Sequence, residues 1–261
     1  MSNFRFAKDY ALHRLKGKTR HGTHSPFVYR LVDEVIYDFQ PKKVYDDVEE
    51  LRRGLLSDNR VINMTDLGAG SQLDNNKQRA VSVIAKNELK LPEPAQLLYR
   101  IAADLQPQSI IELGTSLGVT SVYFKKAVPT AMLYTLEGCP ETAEVAKETL
   151  SKAAIDNYEL IIGNFDDTLP VLLNNMEKVD LVFIDGNHTR EATLRYFEWL
   201  LPKVHDNTLL IFDDIYWSEG MKKAWTAIKA HPQVTVTIDL FFVGLVYFRK
   251  GQVKEDFLIK F

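Results

Sequence analysis

The stretch SIIELGTSLGVTSVYFKKAVPTAMLYTLE, residues 109–137, decides which fold we expect for this chain. It starts with an apolar run that ends at a glycine, continues with apolar residues at helical spacing, and closes with a second apolar run. A strand, a helix and another strand of these lengths predict a βαβ unit in a parallel sheet.

The same alternation continues beyond residue 137. Apolar runs at 158–162, 179–185 and 207–214 predict further strands, and helical patterns lie between them. The runs are apolar throughout instead of alternating with polar residues. This is typical of strands that helices cover on both faces of the sheet.

The last two runs, 233–240 and 241–250, predict a different connection because they follow each other directly. Parallel neighbours need a crossover of about a dozen residues or more, so these two runs predict an antiparallel hairpin. The fold class that we expect is α/β, a Rossmann-like doubly wound sheet of seven strands that is mostly parallel and ends in an antiparallel hairpin.

The first 106 residues read mostly as helix. Apolar residues at helical spacing predict helices over 27–39, 41–56, 76–89 and 94–105. No flexible linker separates this part from the strands. We therefore expect residues 1–106 to form a helical N-terminal extension or lid packed on the core, and residues 107–261 to form the core.

The composition excludes several classes of protein. The chain has 261 residues, of which 46% are apolar and 26% charged, a balance typical of globular proteins with a large core. The single cysteine, Cys139, excludes a disulfide framework and a cysteine-ligated zinc site. No apolar run reaches the ~18–20 residues that span a bilayer, and the N-terminus lacks the apolar segment of a signal peptide. We expect a cytoplasmic protein without a membrane partner.

Positive charge is concentrated at the N-terminus. Residues 1–30 contain seven Lys and Arg and one acid, a net charge of +6, whereas the whole chain carries −3. Such a segment is typical of a solvated helical face, or of a surface that contacts an anion or a nucleic acid. Both interpretations stay open.

The loop 112–121, ELGTSLGVTS, stands where a cofactor loop is expected, between a strand and a helix. Gly114 and Gly118 allow the backbone to approach a ligand, and the helix N-terminus offers free N–H groups to an anionic group. The loop lacks the middle glycine of G-x-G-x-x-G, which disfavours a tight pyrophosphate contact and with it a nicotinamide oxidoreductase. A turn without a ligand is the alternative.

Glu137 ends the second predicted strand, 23 residues after Gly114. A carboxylate at this place can accept hydrogen bonds from both hydroxyls of a ribose. A solvated acid at a strand end is the alternative. The order of the two features along the chain favours a nucleoside-containing cofactor.

The motif GNFDD, residues 163–167, follows the third predicted strand. A polar side chain here could bind the amino group of an adenine, with Phe165 against the base. Alternatively, Asp166 or Asp167 caps the helix that follows.

Three acids follow the fourth and fifth predicted strands: Asp185, Asp213 and Asp214. Ligands of open α/β sheets bind at the carboxyl ends of the strands, and oxygen ligands suit a hard cation such as Mg²⁺. His188 is a candidate general base because imidazole titrates near neutral pH. The alternatives are helix capping for the acids and a surface position for the histidine.

Together the motifs ELGTSLGVTS, TLEG, GNFDDTLP, FIDGNH and LLIFDDI, closed by the hairpin, resemble class I S-adenosylmethionine-dependent methyltransferases. The chain is most similar to the O-methyltransferases of the catechol and caffeoyl-CoA type and to small bacterial ones. The resemblance covers about residues 76–250.

The resemblance implies roles for individual residues. Gly114, Thr115, Ser116 and Gly118 would line the methionine part of the cofactor, Thr120 falls where the family often has a serine, and Glu137 and Asp166 would hold the ribose and the adenine. The full predicted cofactor-binding set is Glu112, Gly114, Thr115, Ser116, Gly118, Thr120, Glu137, Gly163, Asn164, Phe165, Asp166 and Asp185.

The resemblance also implies an acceptor side. Asp185, Asp213 and Asp214 match the positions that bind a divalent ion in metal-dependent members. The lysine base of the family has no match, and His188 stands at about its place. We therefore predict Asp185 and His188 as catalytic residues.

The predicted function is S-adenosylmethionine-dependent methyl transfer, by O-methylation of a small-molecule substrate, with Mg²⁺ as a second cofactor. The alternative is a nucleic-acid-binding or RNA-modifying protein that uses the basic N-terminus on a methyltransferase core. A homodimer stays open.

Two further loops have two interpretations each. Residues 65–71, TDLGAGS, resemble a second glycine loop, but we interpret them as a flexible turn that folds over the mouth of the site. Residues 21–26, HGTHSP, predict the start of a helix, or a lid that touches the substrate.

Overall fold

The computed structural model describes residues 3–65 and 78–261. The helices are α1 (Asn3–Lys16), α2 (Pro26–Leu31), α3 (Lys43–Leu56), α4 (Val81–Glu88), α5 (Pro92–Leu105), α6 (Val119–Ala127), α7 (Pro140–Lys152), α8 (Phe165–Asn174), α9 (Arg190–Leu200) and α10 (Glu219–Ala230). The strands are β1 (Val61–Asn63), β2 (Gln78–Ala80), β3 (Ser109–Leu113), β4 (Met132–Glu137), β5 (Tyr158–Ile162), β6 (Leu181–Ile184), β7 (Leu209–Asp213), β8 (Val236–Asp239), β9 (Val243–Tyr247) and β10 (Glu255–Leu258).

The chain divides into two compact units, Phe39–Leu172 and Met1–Asp38 with Leu173–Phe261. In the first unit, β3, β4 and β5 pair in parallel in the order of the chain, with Ser109 opposite Met132 and Leu133 opposite Tyr158. The division into an N-terminal extension of residues 1–106 and a core of residues 107–261 stays a prediction.

The second unit contains the hairpin that the sequence predicts. Strands β6 and β7 are parallel, whereas β9 is antiparallel to both β7 and β8. Strand β10, which the sequence did not predict, pairs in parallel with β8. From β3 onward the described residues therefore form eight strands instead of the expected seven. The prediction of an α/β fold with a mostly parallel sheet and a terminal hairpin is confirmed, and the strand count was one too low.

The core of the first unit follows from helical spacing. Helix α3 buries Tyr45, Val48 and Leu55 in one hydrophobic cluster with Val122 and Tyr123 of α6. Residues 3–4 apart lie on one helix face, so this stripe is removed from water together. The rings of Tyr45 and Tyr123 lie 6.2 Å apart with an edge-on geometry.

Two helices of the N-terminal part differ from their predicted bounds. The helix expected over 76–89 begins at Val81, because residues 78–80 pair antiparallel with residues 61–63. The helix expected over 27–39 starts with Ser25 as its cap and Pro26 as its first residue, which is the start that the Ser-Pro pair predicts, but its α-helical part ends at Leu31 and a π-helical turn, Val32–Ile36, follows.

The two loops with open interpretations differ in what the structure describes. Ser25 caps α2 by accepting a hydrogen bond from Val28 N at 3.4 Å, as the helix-start interpretation of residues 21–26 requires. In the segment 65–71, residues 66–71 lie outside the described residues, and the flexible turn stays a prediction. Within the described parts of the chain, no helix has the length and hydropathy needed to cross a membrane.

A buried carboxylate, Asp239, joins several elements of the second unit. Its Oδ1 accepts from Phe241 N at 2.9 Å and lies 3.0 Å from His13 Nε2. Its Oδ2 accepts from Tyr216 Oη and Trp225 Nε1, each at 3.0 Å. Asp239 is 2% exposed, so these bonds replace the water that the carboxylate loses on folding.

Gly244 of β9 provides a test of this packing. A Cβ at position 244 would lie 2.6 Å from Trp225 Cη2, and the indole cannot withdraw without losing its bond to Asp239. We expect Gly244→Ala to lower the free energy of unfolding by about 1–3 kcal/mol, as overpacking usually does. Urea denaturation measures this change.

Gly54 of α3 is the matched control, because nothing lies within 4 Å of its added Cβ. In a helix interior, Gly→Ala stabilises by about 1 kcal/mol. Equal stability changes in the two variants would show that Gly244 is not tightly packed.

Candidate active site

The glycine loop after β3 has a backbone that favours glycine at two positions. Gly114 and Gly118 have φ angles of 101° and 83°, and a Cβ on Gly118 would lie 3.2 Å from Ala146 O. The N–H groups of Gly114 and Thr115 both bond to Leu136 O, at 3.0 and 3.1 Å. These bonds hold the loop against the end of β4.

Glu137 lies at that end of β4 and contacts the loop directly. Its Oε2 accepts a hydrogen bond from Ser116 N at 2.9 Å, and its Oε1 accepts one from Cys139 N at 2.9 Å. Burial raises the pKa of Glu137, and these backbone N–H groups partly oppose the rise. The structure therefore brings together the first two features that the sequence singled out.

Glu112 lies beneath the loop and is fully buried. Its Oε2 accepts hydrogen bonds from Ser121 Oγ and from Thr135 Oγ1, the latter at 2.7 Å. Thr135 Oγ1 also lies 2.6 Å from Thr115 Oγ1. The chain of hydroxyls and carboxylate thus joins the start of the loop, β4 and the first turn of α6.

Sequence reasoning missed Thr135 and Ser121. Two signals were available in the sequence. Thr135 lies within the mostly apolar strand 131–137, and Ser121 lies on the apolar side of a predicted helix. Both are fully buried, where a hydroxyl needs a partner. Glu112 stays a predicted cofactor residue, and the contacts described for it stabilise the loop.

Ser116 has the feature that best fits a polar ligand. Its φ angle is 46°, and its Oγ is buried without a hydrogen-bond partner among the described residues. A buried hydroxyl without a partner is costly, so a ligand atom at this place would stabilise it. Thr120, in the first turn of α6, is partly exposed.

The third motif begins at Gly163, whose N–H bonds to Glu137 O at 2.9 Å. Asn164 Oδ1 accepts from Asp166 N at 3.0 Å, so Asn164 caps α8. The alternative in which Asp166 or Asp167 is the cap was wrong, because both lie inside the first turn. The roles of Phe165 and Asp166 toward adenine stay predictions.

In the second unit, the structure brings Asp185, His188 and Asp213 together. One ligand atom from each lies within 4.8 Å of the other two. His188 Nε2 is 3.7 Å from Asp185 Oδ1 and 3.8 Å from Asp214 Oδ2. The predicted acids therefore flank the predicted base, and the histidine joins the group of potential metal ligands.

The comparisons with known proteins agree with this geometry. Residues 111–215 match the family model of a methyltransferase domain. A catechol O-methyltransferase of Niastella koreensis is 29% identical over 127 residues, which are 48% of this chain and 57% of that protein. The human transmembrane O-methyltransferase is 33% identical over 119 residues, 42% of this chain and 41% of that protein. The chain thus spans about half the length of the curated relatives that it matches.

Solved structures share the fold at low identity. One is an O-methyltransferase from Bacillus cereus in complex with S-adenosylhomocysteine (SAH), with a TM-score of 0.57 at 18% identity. The match covers 83% of this chain and 96% of that chain. An SAH-bound methyltransferase from Podospora anserina has a TM-score of 0.61 at 15% identity and covers 87% and 97%. These matches show that the chain shares the fold of these methyltransferases, and over residues 111–215 its sequence is similar to the methyltransferase-domain family, as the resemblance to class I S-adenosylmethionine-dependent O-methyltransferases implied.

Proposed function

We propose that this protein transfers the methyl group of S-adenosylmethionine to a hydroxyl oxygen of a small molecule. The observation that carries the proposal is the hydrogen bond between Glu137 and the loop of residues 114–118. Ser116 N donates this bond to Glu137 Oε2 at 2.9 Å. The names of the relatives and the SAH in the neighbouring structures support the same chemistry.

The residues of the first unit would bind and orient the cofactor. The carboxylate of Glu137 accepts hydrogen bonds from two backbone N–H groups. Because a carboxylate has about four lone-pair sites, it can accept further bonds from ribose hydroxyls. Ser116 Oγ would gain its missing partner from the methionine part. The bound cofactor supplies a methyl group already activated as a sulfonium, so alignment is the main task left to the protein.

The acids of the second unit would serve the acceptor. We propose Asp185 and His188 as the catalytic residues, and Asp185, Asp213 and Asp214 as ligands of a divalent ion such as Mg²⁺. The donor set fits an ion, because a carboxylate oxygen of Asp185, one of Asp213 and an imidazole nitrogen lie within 4.8 Å of one another. A bound ion would lower the pKa of an acceptor hydroxyl.

The alternative function, nucleic-acid binding by the basic N-terminus, is less well supported. Three basic residues of the N-terminus pair with acids of the same unit: Arg5 with Glu219 at 3.6 Å, Arg20 with Asp33, and Arg30 with Glu34 at 3.5 Å. Arg14 donates to Phe261 O at 3.1 Å. Cations that are already paired with acids are less free to bind phosphates and so to release the counterions of a nucleic-acid backbone.

A titration of the purified protein with SAH tests the proposed function. We expect calorimetry to show one site per chain, and methyl-labelled S-adenosylmethionine to label a hydroxyl compound from a panel of small phenols and diols. Absence of heat and of thermal stabilisation at millimolar SAH would overturn the proposal. Binding of RNA under those conditions would favour the alternative. The cytoplasmic location and a homodimer stay predictions.

A further inference from the structure

We infer that His188 is a metal ligand, and that its imidazole makes the acid cluster select a first-row transition-metal ion, such as Mn²⁺ or Co²⁺, over Mg²⁺ and Ca²⁺. The inference rests on the proposed use of this cluster and changes two of its details, the role of His188 and the identity of the ion.

The distances around His188 Nε2 suit ligands of one ion better than hydrogen bonds. The separations of 3.7 Å from Asp185 Oδ1 and 3.8 Å from Asp214 Oδ2 exceed the usual length of a hydrogen bond. Two ligands at ~2.0–2.2 Å from an ion are about 2.8–3.8 Å apart at angles between 90° and 120°. Shifts of a few tenths of an ångström would therefore place these atoms around one cation.

Both loops that carry the donors have backbones restrained by hydrogen bonds. Asn187 adopts a φ angle of 50°, and its carbonyl accepts from Thr189 N at 2.6 Å, while Thr189 caps α9. Asp213 is a buried residue of β7, and Asp214 N bonds to Phe242 O at 2.7 Å. Preset donors lower the ordering cost of binding an ion.

The chemistry of the donors sets the preference. A site of carboxylates and water suits Mg²⁺ and Ca²⁺, whereas imidazole favours first-row transition metals. When Nε2 binds an ion, the same nitrogen cannot accept a proton. The ligand role therefore replaces the general-base role predicted for His188.

Metal titrations of the chelator-treated protein, without cofactor or substrate, test this inference. We expect Mn²⁺ and Co²⁺ to bind at least tenfold more tightly than Mg²⁺ in calorimetry. His188→Ala should lower the affinity for Mn²⁺ at least tenfold and the affinity for Mg²⁺ less than threefold. Pulsed electron paramagnetic resonance of the Mn²⁺ complex should show coupling to a ¹⁴N nucleus that His188→Ala removes.

His205→Ala is the control, because His205 Nε2 is bound to Asp180 at 2.9 Å and lies outside the cluster. It should leave both affinities and the ¹⁴N coupling unchanged. Bound Mn²⁺ without ¹⁴N coupling, equal affinity for Mg²⁺, or no metal binding at millimolar concentration would each overturn the inference. SAH binding is measured separately, so a failure of the proposed function is distinguishable from a failure of this one.

Discussion

Glu137→Ala is expected to weaken SAH binding at least tenfold. A hydrogen bond to a charged group contributes about 1.5–3 kcal/mol, and about 1.4 kcal/mol corresponds to a tenfold change in affinity. Loss of one ribose hydroxyl contact already accounts for a tenfold change. The variant also removes the acceptor for Ser116 N, which holds the loop in place. Isothermal titration calorimetry measures the effect.

The matched control is Glu144→Ala, which removes an exposed acid of α7 whose partner is Lys147. It should bind SAH like the unmodified protein. Glu137→Gln keeps the shape and one acceptor oxygen, and should fall between the two. Unchanged affinity in a folded Glu137→Ala protein would remove Glu137 from the cofactor site.

The largest expected loss of stability is that of Asp239→Ala. The substitution removes the acceptor of four hydrogen-bonding groups, three of them on side chains: His13, Tyr216 and Trp225. A buried donor left without a partner costs about 1–3 kcal/mol. We expect the free energy of unfolding to fall by at least about 3 kcal/mol. For a chain of this size, that corresponds to a Tm lower by about 6–12 °C.

Two further variants make the Asp239 test specific. Asp256→Ala removes one exposed acceptor, bound to Thr237 Oγ1 at 2.6 Å, and should cost less than about 1 kcal/mol. Asp239→Asn should be intermediate, because its amide group turns two donor hydrogens toward groups that themselves donate. Equal losses in Asp239→Ala and Asp256→Ala would contradict the role given to Asp239.

Much of the architecture could be predicted because it depends on neighbours along the chain. The run 109–113 coincides with β3, whose last four residues are buried, as expected for an apolar strand that helices cover on both faces. The run 158–162 coincides with β5, although none of its residues is fully buried and two of them, Glu159 and Ile162, are exposed. The expected hairpin formed because its two runs are too close for a crossover. The place of Glu137 beside the glycine loop followed from the same parallel pairing.

Other features could not be predicted because their partners are far apart in sequence. The pairing of residues 255–258 with β8 added a strand. The unpaired N–H and C=O groups of an edge strand can bond a short segment even where that segment lacks the apolar pattern of a strand. The strand 78–80 replaced a predicted helix turn because residues 61–63 supplied its hydrogen bonds. Asn164 caps α8 because its side chain accepts a hydrogen bond from Asp166 N. Asn164, Asp166 and Asp167 are all suitable capping residues, so the residue types alone do not show which of them is the cap.

The sequence by itself determined the α/β class, the order of strands and helices in the domain, and the set of residues that stand at the strand ends. These depend on periodicity and on short-range turn chemistry. Only the tertiary structure decided which buried polar groups meet: Glu112 with Thr135 and Ser121, and Asp239 with His13, 226 residues away. A buried polar group must find a partner wherever the fold brings one, and no local pattern encodes that distance.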